Sequence, residues 1–231
     1  MKRIKSGIEG FDVLCEGGIP EGAVVLLSGP AGSAKSIFGI EYIYKGAEEY
    51  DENGIFVIAE EPRQNIYRAA HRYNFEIEKM EKENRIAIVD IGEIRRKEDL
   101  VDFSVLAEFI KGMMKQVGAK RLVIDSISGV SIAYSSEDVL RRELFRFVRF
   151  LAESGLTTIL ISEAPEGQLT KYDFEKFLVD GLVFLNYENV KGEYRRTLTI
   201  YKMRFTRHDP YKHPFIISKN GIEIEPEEVI F

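Results

Sequence analysis

The chain has 231 residues, of which 45% are hydrophobic and 30% charged, and its formal net charge is −6. These values are typical of a soluble globular protein, and the negative charge excludes overall attraction to nucleic acid or to an anionic membrane. The lone Cys15 excludes an intrachain disulfide, and no apolar run reaches the roughly 18 residues that span a bilayer. Since the N-terminus also lacks a secretory signal, we expect a cytoplasmic protein with no membrane segment.

Short apolar runs rich in Val and Ile alternate with helical patterns through most of the chain. They predict five strands, at 23–29, 54–61, 85–91, 121–126 and 157–163. Between them the pattern predicts helices near 36–50, 63–73, 99–117 and 138–153. Because these strands are apolar throughout, we expect a parallel sheet that is buried on both faces by helices. No linker or repeat divides the chain, so we predict a single domain over 1–231.

From about residue 180 the pattern changes to closely spaced strands, with no room for crossover helices between them. These strands are expected to be antiparallel. The stretch FIISKNGIEI has Asn220-Gly221 at its centre, which indicates a two-residue hairpin turn. The predicted fold class is therefore α/β, with a mostly parallel central sheet flanked by helices and with C-terminal antiparallel hairpins.

The stretch GPAGSAKS, from Gly29 to Ser36, nearly matches the phosphate-binding loop G-x-x-x-x-G-K-[ST]. It follows a buried strand and precedes a helix, where backbone N–H groups and the helix N-terminus attract phosphate. Lys35 is expected to reach the β- and γ-phosphates of ATP, and Ser36 to hold Mg²⁺. The alternative is an ordinary glycine-rich turn with a solvated lysine.

Ala34 stands where the loop pattern has its last glycine. If φ of this residue is negative, alanine fits with little strain. If φ is positive, strain of order 1 kcal/mol would weaken the loop. The sequence leaves this dihedral angle open, but it predicts a cradle that still accepts phosphate.

Carboxylates follow two of the predicted strands. Glu60 and Glu61 come after the second strand, at the edge of an open α/β sheet where ligands bind. A carboxylate there can polarise the water that attacks the γ-phosphate, although a charged turn before Pro62 is the alternative. Asp125 closes the fourth strand, and Mg²⁺ with its waters would offset the cost of burying this carboxylate.

With these motifs in order, the chain resembles the KaiC-like branch of the RecA superfamily of P-loop ATPases. The similarity covers nearly the whole length and is carried by GIEGFDVLCEGGIPEG, FVIAEEPRQNI, RLVIDSISGV, TTILISE and YKMRFTRHDPYKHPFIISKNGIEI. These segments resemble the lead-in to the loop, the paired glutamates, the Mg²⁺-binding strand, the sensor strand and the C-terminal hairpins of that family. The resemblance implies a RecA-like fold and a homo-oligomeric ring, usually of six subunits, that binds ATP between neighbours.

The resemblance also implies which residues bind and hydrolyse the nucleotide. The subunit's own loop would bind it through Gly32, Ser33, Ala34, Lys35, Ser36 and Ile37. Glu60 and Glu61 would be the catalytic pair. The neighbouring subunit would contribute Lys202, Met203, Arg204, Thr206 and His208, with Ser218 in support.

The residue pattern itself supports the assignment of Lys202 and Arg204 to a phosphate contact. In a strand, Lys202 and Arg204 share one face, while Tyr201, Met203 and Phe205 share the other. Two neighbouring cations repel each other unless an anion such as a triphosphate joins them. An arginine supplied by a neighbour can add about 10³–10⁵ to the rate of phosphoryl transfer. The alternative is a basic strand face in contact with solvent only.

Three functions remain open at this point. The first is a slow, Mg²⁺-dependent ATPase that works as a ring, and the second is an ATP-binding regulator with little turnover, which Ala34 favours. The third is a recombinase relative that modulates DNA repair. The loop at 163–180 has two lysines against five carboxylates, so we do not expect direct DNA binding, whereas a recombinase or other protein partner stays open.

Overall fold

The computed structural model describes residues 1–95, 101–190 and 192–230. The strands are Arg3–Ile4 (β1), Ile19–Pro20 (β2), Val24–Gly29 (β3), Gly54–Ile58 (β4), Ile86–Asp90 (β5), Arg121–Asp125 (β6), Thr157–Glu163 (β7), Gly181–Val190 (β8), Glu193–Met203 (β9), Lys212–Ser218 (β10) and Gly221–Ile224 (β11). The helices are Lys35–Glu49 (α1), Arg63–Arg72 (α2), Ile77–Lys82 (α3), Ile91–Arg95 (α4), Phe103–Val117 (α5), Ile127–Ser131 (α6), Glu137–Ser154 (α7) and Glu175–Leu178 (α8), with a 3-10 turn at Asp12–Cys15.

A nine-stranded sheet in the order β11-β10-β9-β8-β3-β7-β6-β4-β5 forms the centre of the molecule. The strands from β3 to β7 are parallel, and β8 joins the edge of β3 in the same direction. From β8 onward each strand pairs antiparallel with the next. The predicted α/β fold with C-terminal hairpins is confirmed, and β8 is the strand that joins the two parts.

The central strand β3 is buried on both faces, which explains why its sequence is apolar throughout. Val25 and Leu27 face a core cluster that contains Phe38 of α1. Val24 and Leu26 face the second cluster, to which α5 and α7 contribute. Two apolar layers therefore fix β3, and with it the position of the loop that follows.

All five predicted parallel strands and all four predicted helices have counterparts in the structure. The predicted start of the third helix, at 99, lies outside the described residues. Within them α5 begins after Asp102, whose Oδ1 accepts hydrogen bonds from the backbone N–H groups of Ser104 and Val105. The short helices α3, α4, α6 and α8 were not predicted, because each is six residues or shorter and shows little periodicity. No helix in the described ranges has the length and apolar character needed to cross a membrane.

The C-terminal hairpin forms where the sequence predicts it, but its turn is displaced by one residue. Ser218 pairs with Gly221, so the two loop residues are Lys219 and Asn220 rather than Asn220 and Gly221. Gly221 instead begins β11 with φ of +122°. Its position leaves no room for a side chain, because a Cβ there would lie 2.4 Å from Oε2 of Glu41.

Candidate functional site

The carboxyl ends of the parallel strands bring the predicted loop and the predicted carboxylates to one edge of the sheet. Gly29 and Glu163 pair in register at the ends of β3 and β7, and Asp125 pairs with Ile58 at the ends of β6 and β4. A cleft of about 210 Å³ opens at this edge. The polar residues that line it include Lys35, Ser36, Glu60, Glu61, Asp125 and Glu163, and Gly32 of the loop lines it as well.

The Lys35 side chain folds back over the loop that precedes it. Its Nζ donates to the carbonyl oxygens of Gly29 and Pro30, both at 2.8 Å. An ammonium group has three donors, so one remains for a phosphate oxygen. Burial lowers the pKa of Lys35, and the carboxylates of Asp125 and Glu163 oppose this shift. The lysine therefore closes the loop and presents a cation to the cleft.

Of the two conformations considered for Ala34, with negative or positive φ, the structure shows the strained one with positive φ. Its φ is +78° and its ψ is 21°, which is the left-handed region that glycine usually occupies. For alanine this conformation costs about 1–2 kcal/mol. Ala34 directly precedes α1, and its carbonyl oxygen accepts a hydrogen bond from the N–H of Phe38 at 3.0 Å. The loop therefore keeps the shape expected of a glycine-containing loop, at some cost in stability.

Asp125 lies deep in the cleft next to the start of α1. Burial raises its pKa to about 6, while the Ser36 hydroxyl opposes this shift and the Glu61 carboxylate adds to it. The peptide bond from Asp125 to Ser126 is cis. A buried carboxylate beside a serine hydroxyl is a suitable ligand pair for Mg²⁺, which prefers oxygen ligands.

Glu60 is held in place more firmly than Glu61, although both are exposed. The Ser126 hydroxyl donates to Oε2 of Glu60 at 3.2 Å, and a Cβ at Gly129 would lie 2.7 Å from Cγ of Glu60. Among the described residues, Glu61 accepts one side-chain hydrogen bond, from the exposed Asn65 amide. Both carboxylates line the cleft, and the hydrogen bond from Ser126 gives Glu60 the more fixed position of the two.

Lys202 and Arg204 lie at the opposite end of the sheet from the loop of the same chain. Met203, between them, pairs with Gly181, which in turn pairs with Val25 near the start of β3. The loop follows the other end of β3, at least about 13 Å away at 3.3 Å per residue. These two cations therefore cannot act on a nucleotide bound to their own loop in this conformation.

Contacts within the chain hold both cations at that end of the sheet. Nζ of Lys202 donates to the carbonyl oxygens of Val179 at 2.6 Å and Lys176 at 3.1 Å. Burial lowers the pKa of Lys202, and the charge of Arg204 adds to this shift. Arg204 forms an ion pair with Asp180 at 3.0 Å and is half-exposed.

The predicted alternation of side chains at the end of β9 is wrong for Tyr201 and Met203. Met203 is 4% exposed, whereas Tyr201 is 51% exposed, so the two residues do not share a face. A β-bulge explains the difference: Ile200 pairs with Val183 and Lys202 pairs with Leu182, which leaves Tyr201 without a partner. The buried Met203 side chain is not available to a nucleotide.

The remaining residues implied by the resemblance do not all lie together. Thr206 accepts a hydrogen bond from Arg3, and Nδ1 of His208 contacts the carbonyl oxygen of Asp209, in the segment after β9. Ser218 ends β10, which runs antiparallel to β9, so it lies toward the end of the hairpins away from Lys202. On the loop itself, Ser33 is fully buried and donates to the Pro30 carbonyl oxygen, and Ile37 is half-buried on α1.

Sequence reasoning missed one cation at the phosphate loop. Nε of Arg196, on β9, donates to the carbonyl oxygen of Gly32 at 3.1 Å. The two residues are 164 positions apart in the chain, so only the register between β8, β9 and β3 shows their contact. Nothing in the sequence distinguishes Arg196 from its neighbour Arg195, since both are basic residues of the same hairpin.

Known proteins resemble this chain in sequence along nearly its whole length. The family model described as ATPase: KaiC matches residues 4–229. The circadian clock oscillator protein KaiC of Synechococcus elongatus is 37% identical over 230 residues, which cover 97% of this chain and 44% of that protein. The chain thus spans about half the length of the clock proteins that it matches. The UPF0273 protein MJ1359 of Methanocaldococcus jannaschii is 36% identical, and the match covers 99% of it.

A solved structure also resembles this fold. The KaiC-like protein PH0186 from Pyrococcus horikoshii OT3 has a TM-score of 0.88 and 42% identity, over 97% of this chain and 99% of that one. A UPF0273 protein of Thermotoga maritima is 35% identical over 99% of this chain and 98% of its own length. The chain therefore belongs to the KaiC family of RecA-superfamily ATPases and groups with the single-domain, archaeal-type proteins of that family.

Proposed function

We propose that the chain is one ATPase domain, over 1–231, that hydrolyses ATP between the subunits of a ring. One observation carries this proposal: Lys35, Ser36, Asp125 and Glu60 line a single cleft after a buried strand. Those four groups are the parts that phosphoryl transfer to water requires. We further propose six subunits, as the family resemblance implies, and a cytoplasmic location, which the lone Cys15 favours.

In this proposal each group at the cleft has one role. Lys35 and the loop N–H groups bind the β- and γ-phosphates, and Ser36 and Asp125 hold Mg²⁺. When bound, Mg²⁺ supplies positive charge to the phosphates and offsets the burial that raises the pKa of Asp125 to about 6. Glu60 orients the attacking water and accepts its proton, since the Ser126 hydroxyl fixes this carboxylate beside Asp125.

We propose that the neighbouring subunit completes the site with Lys202 and Arg204. The support is their position at the far end of the sheet from their own loop, so any nucleotide that they contact must be bound to a neighbour. Thr206 and His208 follow them in the same segment and would approach the same nucleotide. The assignment of Met203 and Ser218 to this contact stays a prediction of the resemblance. For Met203 it is limited to the backbone, because the side chain is buried.

The experiment measures ATP binding and ATP hydrolysis separately. Lys35→Ala should abolish binding, while Glu60→Gln should keep binding and slow hydrolysis, because the lysine acts on bound phosphate and the glutamate on the attacking water. Lys111→Ala, an exposed lysine on α5, serves as the control and should change neither. Hydrolysis at the parent rate by Glu60→Gln would transfer the assigned role to Glu61.

The regulator with little turnover remains as a second candidate because Ala34 has a positive φ. A loop that departs from the pattern at this position favours a protein that binds ATP with little turnover. Tight binding by the parent protein with no Mg²⁺-dependent release of phosphate would favour this candidate. Direct DNA binding is not proposed, since Lys176 pairs with Asp173 within the acidic loop, and a protein partner such as a recombinase stays open.

A further inference from the structure

A second cavity, of about 400 Å³, lies apart from the cleft that contains the phosphate loop. Four parts of the chain form it: the segment after β1, the helix α1, the turn after α2 and the C-terminal hairpin. Among the described residues, none lines both the cavity and the cleft. Its volume lies within the roughly 300–1,000 Å³ that is usual for small-molecule sites. The cavity is therefore a candidate binding site of its own.

Carboxyl groups from three of these parts meet at the cavity. Glu9 and Glu223 pair in a parallel β-bridge, and Glu41 projects from α1. Burial raises the pKa of Glu41 to about 8, and the nearby Glu223 carboxylate adds to this shift. Like charges at paired positions of a sheet repel each other, so a cation between these groups would stabilise the arrangement.

The charge that lines the cavity is mostly negative. Glu48 is a fourth carboxyl group on its wall, whereas Lys45 is the one lysine or arginine among the described lining residues. Lys45 forms an ion pair with Glu49, which lies outside the cavity. The lysine therefore leaves most of the negative charge of the cavity without a partner.

The buried Glu41 side chain offers one oxygen to a ligand. The residue is 3% exposed, and its Oε2 accepts a hydrogen bond from the N–H of Ile222 at 2.8 Å. Its Oε1 has no hydrogen-bond partner in the part of the chain that the structure describes. Because the Glu41 carboxyl group lines the cavity, this oxygen is available there. A buried polar atom usually has a partner, so its position points to a bound group.

Aromatic rings form another wall of the same cavity. The rings of Tyr44 and Phe75 stack with their centres 4.9 Å apart, and the Tyr73 ring lies 5.9 Å from that of Phe75. The described residues contain no group of three acidic, histidine or cysteine side chains that could hold a metal ion. Carboxyl groups that are spread around an aromatic wall favour an organic cation, whose carbon chain packs on the rings, over a metal ion.

We propose that this cavity binds a small organic cation, an alkyl chain that carries a guanidinium or ammonium group. The charged group meets Oε1 of Glu41 and the carboxylates of Glu9 and Glu223, and the chain lies along the aromatic wall. Binding releases the Glu41 proton, because a neighbouring cation stabilises the ionised carboxylate. The other titratable groups around Glu41 are Glu9, Tyr44, Lys45, Glu48, Glu49, Tyr73 and Glu223.

Calorimetric titration with butylguanidinium tests the proposal, and butylurea is the neutral probe of similar shape. The parent should bind butylguanidinium saturably and butylurea much more weakly. Its affinity should rise about tenfold from pH 6.5 to 8.5, as Glu41 loses its proton more easily. The guanidinium keeps its charge over this range, so the rise belongs to the protein. Glu41→Gln should bind like the parent at pH 6.5 and show no rise.

Glu9→Gln should weaken the binding of butylguanidinium severalfold at both pH values, and Glu223→Gln should do the same. Glu225→Gln is the matched control, since it removes an exposed carboxylate two residues after Glu223 and outside the cavity. It should bind like the parent. Lys35→Ala should also bind like the parent, so the result does not depend on ATP binding. Thermal unfolding without the probe shows whether each variant is folded.

Three results would overturn the proposal. The first is a parent protein that shows no saturable binding of butylguanidinium or binds butylurea equally well. The second is an equal loss of affinity in Glu225→Gln and Glu9→Gln, which would indicate general attraction of cations to an acidic surface. The third is displacement of the probe by an equal concentration of Ca²⁺, which would indicate a metal site instead.

Discussion

At the scale of single residues, Ala34 shows how a departure from the loop pattern can leave the loop intact. Its φ of +78° is the value that glycine would adopt there, so the backbone follows the pattern although the side chain does not. The strain belongs to the loop itself and is present whether or not phosphate is bound. It should therefore reduce the stability of the protein more than its affinity for ATP.

Ala34→Gly should change the free energy of unfolding by between about zero and 1.6 kcal/mol in favour of the folded state. Glycine relieves roughly 1–2 kcal/mol of strain but adds conformational freedom to the unfolded chain, worth about 0.4–1 kcal/mol. ATP affinity should change less than about tenfold, or roughly 1.4 kcal/mol. Denaturant unfolding and titration with labelled ATP measure the two effects. A gain of a hundredfold or more in affinity would show that Ala34 disables the parent loop.

The sequence predicts the position of the loop but not its geometry. A glycine-rich stretch between a buried strand and a helix locates Lys35 and Ser36, because the pattern depends on neighbours in the chain. The sign of φ at Ala34 depends on how the loop packs against α1 and the β8–β9 hairpin. The contact of Arg196 with Gly32 depends on strand order, which short-range patterns do not contain.

At the scale of elements, Glu41 joins the helix that follows the loop to the C-terminal hairpin. Its side chain is 3% exposed, and Oε2 accepts a hydrogen bond from the N–H of Ile222 at 2.8 Å. Burial raises the pKa of Glu41 to about 8, and the carboxylates of Glu223 and Glu49 add to this shift while Lys45 opposes it. The same contact excludes a side chain at position 221, which explains the displaced turn.

Glu41→Gln should remove a pH dependence of stability. The folded protein holds the Glu41 proton up to about pH 8, whereas the unfolded chain loses it near 4.5, so the parent loses stability as pH rises between these values. The expected slope is about 1.4 kcal/mol per pH unit relative to the variant. Unfolding free energies from pH 5 to 8 measure it, with Glu48→Gln as an exposed control on the same helix. Parallel curves for the parent and Glu41→Gln would contradict the assignment.

The elements that the sequence predicts are those with long, regular patterns. Apolar strands between amphipathic helices locate the parallel sheet because each pattern is repeated several times within the element. The bulge at Tyr201 and the turn at Lys219 and Asn220 were missed, since each depends on a contact with another element. Because of the bulge, the Met203 side chain lies on the buried face of β9. It is therefore not available for the nucleotide contact that the resemblance implies.

At the scale of the whole molecule, the two halves of the proposed site lie at opposite ends of one sheet. The loop, Glu60 and Asp125 follow the carboxyl ends of the parallel strands, while Lys202 and Arg204 lie beside their amino ends. Such a molecule can bring the two halves together only by pairing with another copy, head to tail. Repetition of a head-to-tail contact around an axis closes a ring.

Arg204→Ala should reduce ATP hydrolysis by about 10³-fold or more and leave ATP binding and folding nearly unchanged. The half-exposed ion pair with Asp180 contributes little to stability, because solvent screens it. Arg207→Ala, an exposed arginine that follows β9, is the control and should leave the rate at the parent level. A similar loss of rate in both variants would indicate a general effect of charge.

The most direct test of the account mixes two inactive variants, Glu60→Gln and Arg204→Ala, and measures ATP hydrolysis after the subunits have exchanged. Each variant alone lacks one half of every site. A mixed ring contains interfaces in which the Glu60 of one subunit meets the Arg204 of its neighbour, so hydrolysis should return. If the mixed assemblies form, as shown by co-purification of differently tagged subunits, and still hydrolyse no ATP, the arginine does not act between subunits and the proposed shared site is contradicted.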